Sequence, residues 1–307
     1  MKILLMGGSG WLGHHIALRL AAENRDVTIL SRGRKPTFQD AVSELPAIVA
    51  DKEDEAAMRQ VFDTRFTHVI DTVPTEKSIA LVHKYAAGLQ HYIHCSSTGG
   101  YAPPEFIPCN ETAHYKGFAP GTGWDQKRIV DNLVMTLCRG HGFPATVIRP
   151  SYITGPGMLP LDNLGGRRED FIPDILAGKT LDLPENGKAL LQPVHVRDLA
   201  ASFVLALDRP ERSVGQIYNI CLAHAVTLNR YLEITASALG RKPVIHYMSV
   251  EAMLVKYGDR IDPVGLRFLA EHMCFSIEKA ASDLGYRPSM STEEAIAETA
   301  LWAAGLR

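Results

Sequence analysis

Residues 3–6 are apolar, and Gly7, Gly8, Gly10 and Gly13 follow at once, so one short stretch carries both a Gly-x-Gly-x-x-Gly and a Gly-x-x-Gly-x-x-Gly spacing. The apolar run suits a buried parallel strand, and a glycine turn feeding a helix presents unpaired amides and the positive helix end to phosphates. One glycine turns the chain, the next lets a pyrophosphate approach the backbone, and the third brings helix and strand together. Gly7, Gly10, Trp11, Leu12 and Gly13 are therefore the expected dinucleotide contacts. The next strand-like run ends in Ser31-Arg32-Gly33-Arg34, where an acidic residue would bind the ribose 2′-hydroxyl of NAD. A hydroxyl flanked by guanidinium groups suits a 2′-phosphate instead, because arginine's planar fork matches phosphate oxygens. NADP is the expected cofactor, with NAD as the alternative. Asp51, at the end of the third strand-like run, can accept from the adenine amino group or cap the helix expected from residue 53.

Other reactive side chains carry less. His91 and His94 stand three apart on a strand-like run, where alternate side chains face opposite ways, so a shared metal is not expected. His14 and His15 fall in the first turn of the helix after the glycines, one expected to pack and one to lie near solvent. Cys95 has no activating base in view and is expected to be a buried thiol.

The elements that must position these residues alternate. Strand-like runs at 27–30, 47–50, 68–71, 92–95 and 145–148 are separated by helical patterns at 13–24, 53–62, 77–88 and 124–142. Such alternation means crossover units and a doubly wound parallel sheet in an α/β fold. Residues 154–170, rich in Gly, Pro and Asn, read as loop, and a strand at 216–220 returns to the sheet. The expected plan is a dinucleotide-binding domain over 1–155 with a return segment at about 190–222, and a smaller, mainly helical substrate lobe over 156–307. With 307 residues, 46% hydrophobic, 21% charged and a net charge of −2, the chain can bury a large core and offers no basic field for nucleic acid. No run reaches the length of a membrane span, and five scattered cysteines without a C-x-x-C pair suit a reducing, cytoplasmic setting.

Several longer segments carry a resemblance. They are Gly7-Gly8-Ser9-Gly10-Trp11-Leu12-Gly13, His94-Cys95-Ser96-Ser97-Thr98-Gly99-Gly100-Tyr101, Arg149-Pro150-Ser151-Tyr152-Ile153-Thr154-Gly155-Pro156-Gly157, Pro193-Val194-His195-Val196-Arg197-Asp198-Leu199-Ala200 and Asp283-Leu284-Gly285-Tyr286-Arg287-Pro288. In this order the chain resembles the extended short-chain dehydrogenases/reductases, including the NAD-dependent epimerase/dehydratase group, which have a Rossmann fold. The resemblance implies a serine that binds the substrate oxygen, a tyrosine that moves the proton as hydride moves, and a lysine four residues later that lowers the phenol's pKa and holds the nicotinamide ribose. Ser97 and Lys127 match the serine and lysine, and Asp131 stands where relatives often have an acid. The tyrosine position is Gly123, and none of the ten tyrosines precedes a lysine by four. His114 and Tyr115, with Lys116 beside them, are the candidates for a replacement acid. The arginine that grips a nucleotide sugar's diphosphate in relatives would fall near Leu191, where Leu190-Leu191-Gln192 stands; Arg167 and Arg168 are expected to be solvated. The helical patterns at 77–88 and 124–142 match those through which relatives dimerise, so a homodimer is possible.

Three readings follow. The first is an NADP-dependent oxidoreductase, or an epimerase or dehydratase with transient hydride transfer, acting on a small sugar-like or carbonyl substrate through a non-standard acid. The second is a dinucleotide-binding sensor without turnover. The third, from similarity to the chloroplast stem-loop-binding branch of the superfamily, is RNA binding, which the acidic net charge disfavours.

Overall fold

The computed structural model describes residues 1–33 and 41–306. Its centre is a parallel sheet formed by β1 (Lys2–Met6), β2 (Asp26–Ser31), β3 (Ala47–Val49), β4 (His68–Asp71), β5 (His91–Cys95) and β6 (Ala145–Pro150), joined after a long excursion by a late strand, Ile217–Ile220. The strand order is late strand, β6, β5, β4, β1, β2, β3. Winding therefore reverses between β1 and β4, and ligands of such sheets bind in the crevice beyond the strands' carboxyl ends at that reversal.

Alternation along β1 explains why both faces are covered. Ile3 and Leu5 join Ile16 and Leu20 of α1 (Trp11–Ala22), while Leu4 and Met6 pack with Met58 of α2 (Glu55–Asp63), Ile79 of α3 (Glu76–Tyr85) and Val130 of α4 (Gly123–His141). A strand buried on both faces reads as a continuous apolar run, as this one does.

Several helix ends differ from the sequence expectation, each for a local reason. α1 starts at Trp11 rather than at residue 13 because Gly10 serves as its N-cap. α2 starts at Glu55 because Asp54 is the cap, its carboxylate accepting from the Ala56 and Ala57 amides. α3 is closed at its start by Thr75 and Ser78, which bond each other's backbone amides, and it stops at Tyr85 because Ala86 leaves helical geometry. α4 runs from the Thr122 cap to the left-handed Gly142.

The remaining chain follows in order as β7 (Tyr152–Thr154), α5 (Phe171–Leu176), β8 (Thr180–Pro184), β9 (Leu190–Leu191), β10 (Pro193–His195), α6 (Val196–Leu207), α7 (Pro210–Ser213), the late strand as β11, β12 (Val226–Thr227), α8 (Leu228–Ala238), β13 (Val244–Met248), α9 (Val250–Tyr257), α10 (Pro263–Leu269), α11 (Glu278–Leu284) and α12 (Thr292–Ala303). The chain beyond β6 thus also contains short strand pairs, β7 with β10, β9 with β12 and β8 with β13, which no alternation in the sequence announced. The core of the helical lobe gathers Phe171, Leu183, Leu191, Tyr231 and Ile296, together with Tyr101 and Cys109 from the segment after β5. α6 lies against α1, and Ala280, Leu284 and Tyr286 return to the sheet core. No described helix is long and apolar enough to cross a membrane.

Candidate functional site

The glycine turn is shaped by what a side chain would strike. Gly7 has φ +83°, and a Cβ there would lie 2.3 Å from Thr72 Oγ1; a Cβ on Gly13 would lie 2.2 Å from the Gly7 carbonyl oxygen. Gly10 donates to the Gly7 carbonyl (3.0 Å), and its own carbonyl accepts from His14, the first hydrogen bond of α1 (2.8 Å). That leaves the Trp11, Leu12 and Gly13 amides as the first-turn donors, with no side-chain cap and no acidic residue in the turn. An anion at the end of β1 meets donors and a helix dipole of the right sign, so the residues fit a dinucleotide's phosphates. The Trp11 indole donates to the Pro156 carbonyl (2.8 Å), tying this turn to the segment after β7.

At the end of β2, Ser31 is half-buried and Arg32 is exposed. Arg34, paired with Arg32 in the sequence argument, lies outside the described residues. Asp51 accepts from the Glu53 amide (2.9 Å) in a turn just before α2, so its capping alternative is replaced by Asp54, and its exposed carboxylate remains at the edge of the crevice. Lys52, which the sequence did not single out, pairs with buried Asp71 at the end of β4 (2.7 Å).

At the end of β5, Ser97 Oγ accepts from the Gly99 amide (3.1 Å), and Lys127 Nζ donates to the Cys95 carbonyl (3.0 Å). The serine and lysine thus meet the same strand end. Gly123 opens α4 at an exposed position, with no atom within 4 Å of where a Cβ would stand. The replacement-acid candidates lie elsewhere. His114 is exposed, and Tyr115 turns inward, donating its hydroxyl to the Ser97 carbonyl (2.6 Å). Neither lines the cavity beside Ser97, because Tyr115 occupies the space left by Gly100, where a Cβ would come 2.3 Å from the phenol ring. Burial first, then the Asp131 charge, raise the Tyr115 phenol above its ordinary value despite Arg149 nearby.

Behind Tyr115 lies a buried polar network. Asp131 accepts from Ser96 Oγ and Arg149 Nε (both 2.9 Å) and lies 2.9 Å from His94 Nε2. The Arg149 guanidinium covers the Tyr115 ring at 3.6 Å and donates to the Tyr101 hydroxyl (2.5 Å). Burial alone would raise Asp131, but Arg149, His94 and Ser96 outweigh it and hold the carboxyl below its ordinary value. Cys95 is buried and its thiol is pushed up to about 11 by burial. His91 bonds Thr146 (2.8 Å) while His94 bonds Asp131, on opposite faces of β5.

A cavity of about 290 Å³ opens beside Ser97, walled by Trp124, Ser151, Tyr152, Arg167 and Phe268 among others. Its volume is at the low end for small-molecule sites. Arg167 is not solvated as its sequence context implied: it donates to the Ile153 carbonyl (2.7 Å) and the Leu159 carbonyl and stacks on Tyr152 at 4.5 Å. Arg168 pairs with Asp162 and Asp170. Leu191 is buried, and Gln192 is spent on the Leu222 carbonyl and the Phe275 amide, so neither faces a ligand.

The family model for the NAD dependent epimerase/dehydratase family matches residues 3–221. The chain belongs to this family. Among curated relatives it is similar to the chloroplast stem-loop binding protein of 41 kDa b of Arabidopsis thaliana, 27% identical over 97% of this chain and 78% of that protein. It is also similar to the 3-beta-hydroxysteroid dehydrogenase of Mycolicibacterium neoaurum, 26% identical over 97% of this chain and 90% of that one. Among solved structures, the UDP-glucose 4-epimerase of Bifidobacterium longum in complex with NAD+ and UDP superposes with a TM-score of 0.75 at 18% identity, covering 99% of this chain and 98% of that one. That epimerase binds NAD+, and its fold is the one this chain has.

Sequence reasoning identified the glycine turn and the Ser97 and Lys127 pair. It did not single out Trp124, Arg149 or Asp71. The one signal was the pair Gly99-Gly100 just after the strand-end serines, the first making room for Trp124 and the second for Tyr115.

Proposed function

We propose that this epimerase/dehydratase-family chain binds NADP and transfers hydride to or from a small, neutral carbonyl or hydroxyl substrate held beside Ser97. The observation that carries this reading is the position of Ser97, on the cavity wall and at the strand end that Lys127 also reaches. The Trp11, Leu12 and Gly13 amides would hold the pyrophosphate, Ser31 and Arg32 a 2′-phosphate, Asp51 the adenine and Lys127 the nicotinamide ribose. Bound there, the nicotinamide supplies or accepts a hydride.

Ser97 does the rest. Its oxygen already accepts from the Gly99 amide, which leaves its O–H free to donate to a substrate oxygen. When a substrate carbonyl is reduced there, Ser97 would give its hydroxyl proton to the carbonyl oxygen, and its own oxygen would regain a proton from solvent, leaving hydroxide to the bulk buffer. The Gly99 amide stabilises the serine oxygen while it is short of a proton. Tyr115 is a positioning residue in this reading, fixing the Ser97 carbonyl, and His114 takes no part.

A deuteride-transfer assay tests the reading. With 4-deuterated NADPH and a panel of small ketones and lactones, label is expected in the product alcohol. Tight NADPH binding with no label moved to any compound would favour the sensor reading instead.

RNA binding is a second reading, favoured by the similarity to the stem-loop binding protein. Retardation of a stem-loop RNA that weakens steeply with salt would support it, and none at low salt would remove it.

A further inference from the structure

We infer that the Trp124 indole N–H and the Ser151 hydroxyl are two further substrate-binding groups of the cavity beside Ser97, and that together they select a compact, uncharged ring bearing at least two oxygens. The inference rests on the proposed use of the cavity as the substrate site and concerns what that site accepts.

Trp124 directly follows Gly123, the position without a phenol, and it fills the space left by the missing side chain of Gly99 on the wall of the same cavity. Its Nε1 and Cδ1 lie 2.1 and 2.3 Å from where a Cβ of Gly99 would stand, so the polar edge of the indole rests against the Ser97–Gly99 backbone only because residue 99 is glycine. The ring is held there by a face-to-face stack on Phe268 (4.3 Å, 16°), with Phe118 set edge-on to both. Among the described residues the indole N–H has no hydrogen-bond partner, whereas Trp11 finds Pro156.

Ser151 supplies the second point. It is 7% exposed, it lines the same cavity, and its hydroxyl has no partner among the described residues. A buried hydroxyl without a partner is costly unless a ligand satisfies it. Two unsatisfied groups lining one small cavity therefore ask for two ligand oxygens.

Charge decides the rest of the class. Arg167 is the one Lys, Arg, Asp or Glu among the described lining residues, and its guanidinium donates to two backbone carbonyls and stacks on the Tyr152 ring. A phosphate or carboxylate entering here would meet a single guanidinium, both of whose Nη atoms already donate to backbone carbonyls, which disfavours the two-point fork that holds such anions. An indole N–H donates but does not give up its proton near neutral pH, so Trp124 replaces the binding role of a phenol and not its acid role.

Nitrogen-15 NMR of the full chain saturated with NADP+ tests this directly. The three tryptophans give three indole signals, and W124F assigns the one of interest. Titration with 1,5-anhydroglucitol and with 4-hydroxycyclohexanone is expected to shift the Trp124 signal saturably. Affinity for 1,5-anhydroglucitol should fall roughly five- to tenfold in W124F and in S151A, as expected for one lost hydrogen bond. G99A, which keeps the indole but expels it from its seat, should do the same. Glucose 6-phosphate should leave the signal in place. The inference is overturned if neither neutral ring moves the signal, if glucose 6-phosphate moves it as far, or if W124F binds 1,5-anhydroglucitol unchanged. Because the titration needs no turnover, its failure leaves the deuteride assay standing, and failure of that assay leaves the titration readable.

Discussion

The Tyr115 hydroxyl lies 2.6 Å from the Ser97 carbonyl oxygen, and the face of its ring is covered by Arg149 at 3.6 Å. A phenol so engaged holds the strand end in place and has its proton directed away from the cavity. Replacing it with Phe keeps the ring under Arg149 and removes the short bond to the Ser97 carbonyl and a longer one to the Ser96 hydroxyl (3.3 Å). Y115F should therefore cost about 1 kcal/mol of stability and leave NADPH affinity unchanged. Turnover should fall by less than about tenfold, the cost of a slightly displaced Ser97. A loss of several orders of magnitude with binding intact would make Tyr115 the acid after all.

Gly123 is the reverse case, a missing group with room to restore it. Nothing lies within 4 Å of a Cβ there, and the residue opens α4 four positions before Lys127. G123Y should fold at least as well as the parent, since glycine is a weak helix former by up to about 1 kcal/mol. On any substrate found by deuteride transfer its turnover should rise tenfold or more, the usual scale for a positioned acid being about 100-fold. Unchanged turnover in a folded, cofactor-binding variant would show that the acid step is not what limits the reaction.

Arg32 gives the cofactor prediction. It is exposed at the end of β2, beyond half-buried Ser31. R32A should weaken NADPH by about tenfold and NADH hardly at all, read by fluorescence titration, because the ion pair to a 2′-phosphate is lost. Tighter binding of NADH than NADPH by the parent chain would overturn the NADP assignment.

Stability should decline with mild acid through His15. Burial first, then His14, His195 and Arg197, lower its pKa from 6.5 to about 4. The folded chain therefore resists a proton that the unfolded chain accepts below 6.5. The sign follows: His15 contributes stability above pH 6.5 that is lost progressively toward pH 4. Urea midpoints should fall between pH 7.5 and 5, and H15Q should show a shallower fall. An equal fall in both chains would assign the loss to other groups, among them His195, whose pKa is also lowered by burial.

Asp131 works in the opposite pH range. Its carboxyl is held below the ordinary value, so its share of stability is present above about pH 4 and lost only below it. Removing the charge is another matter: D131A leaves Arg149 buried at 4% exposure without its partner and should cost about 3 to 5 kcal/mol in denaturant unfolding. A cost under about 1 kcal/mol would mean that water or a neighbouring group takes over the guanidinium.

The sequence by itself determined what depends on near neighbours. The turn from β1 into α1 is legible because each glycine answers to contacts within the turn or one strand away, and the alternation of strands and helices is legible because each must bury a face. Helix starts shifted by a residue or two, to Trp11 and Glu55, because Gly10 and Asp54 compete as caps with equally plausible neighbours. Only the tertiary structure decided which side chains meet. Tyr115 reaches Ser97 over 18 residues, Ser96 reaches Asp131 over 35, and Arg167 is folded onto Ile153 and Tyr152 instead of water. No local pattern encodes these, because a polar side chain's partner is set by where separate segments pack, and burial then makes the match obligatory. For the same reason the glycine turn announced a dinucleotide from the sequence, while the seat of Trp124 against Gly99 became visible only once α4 lay beside β5.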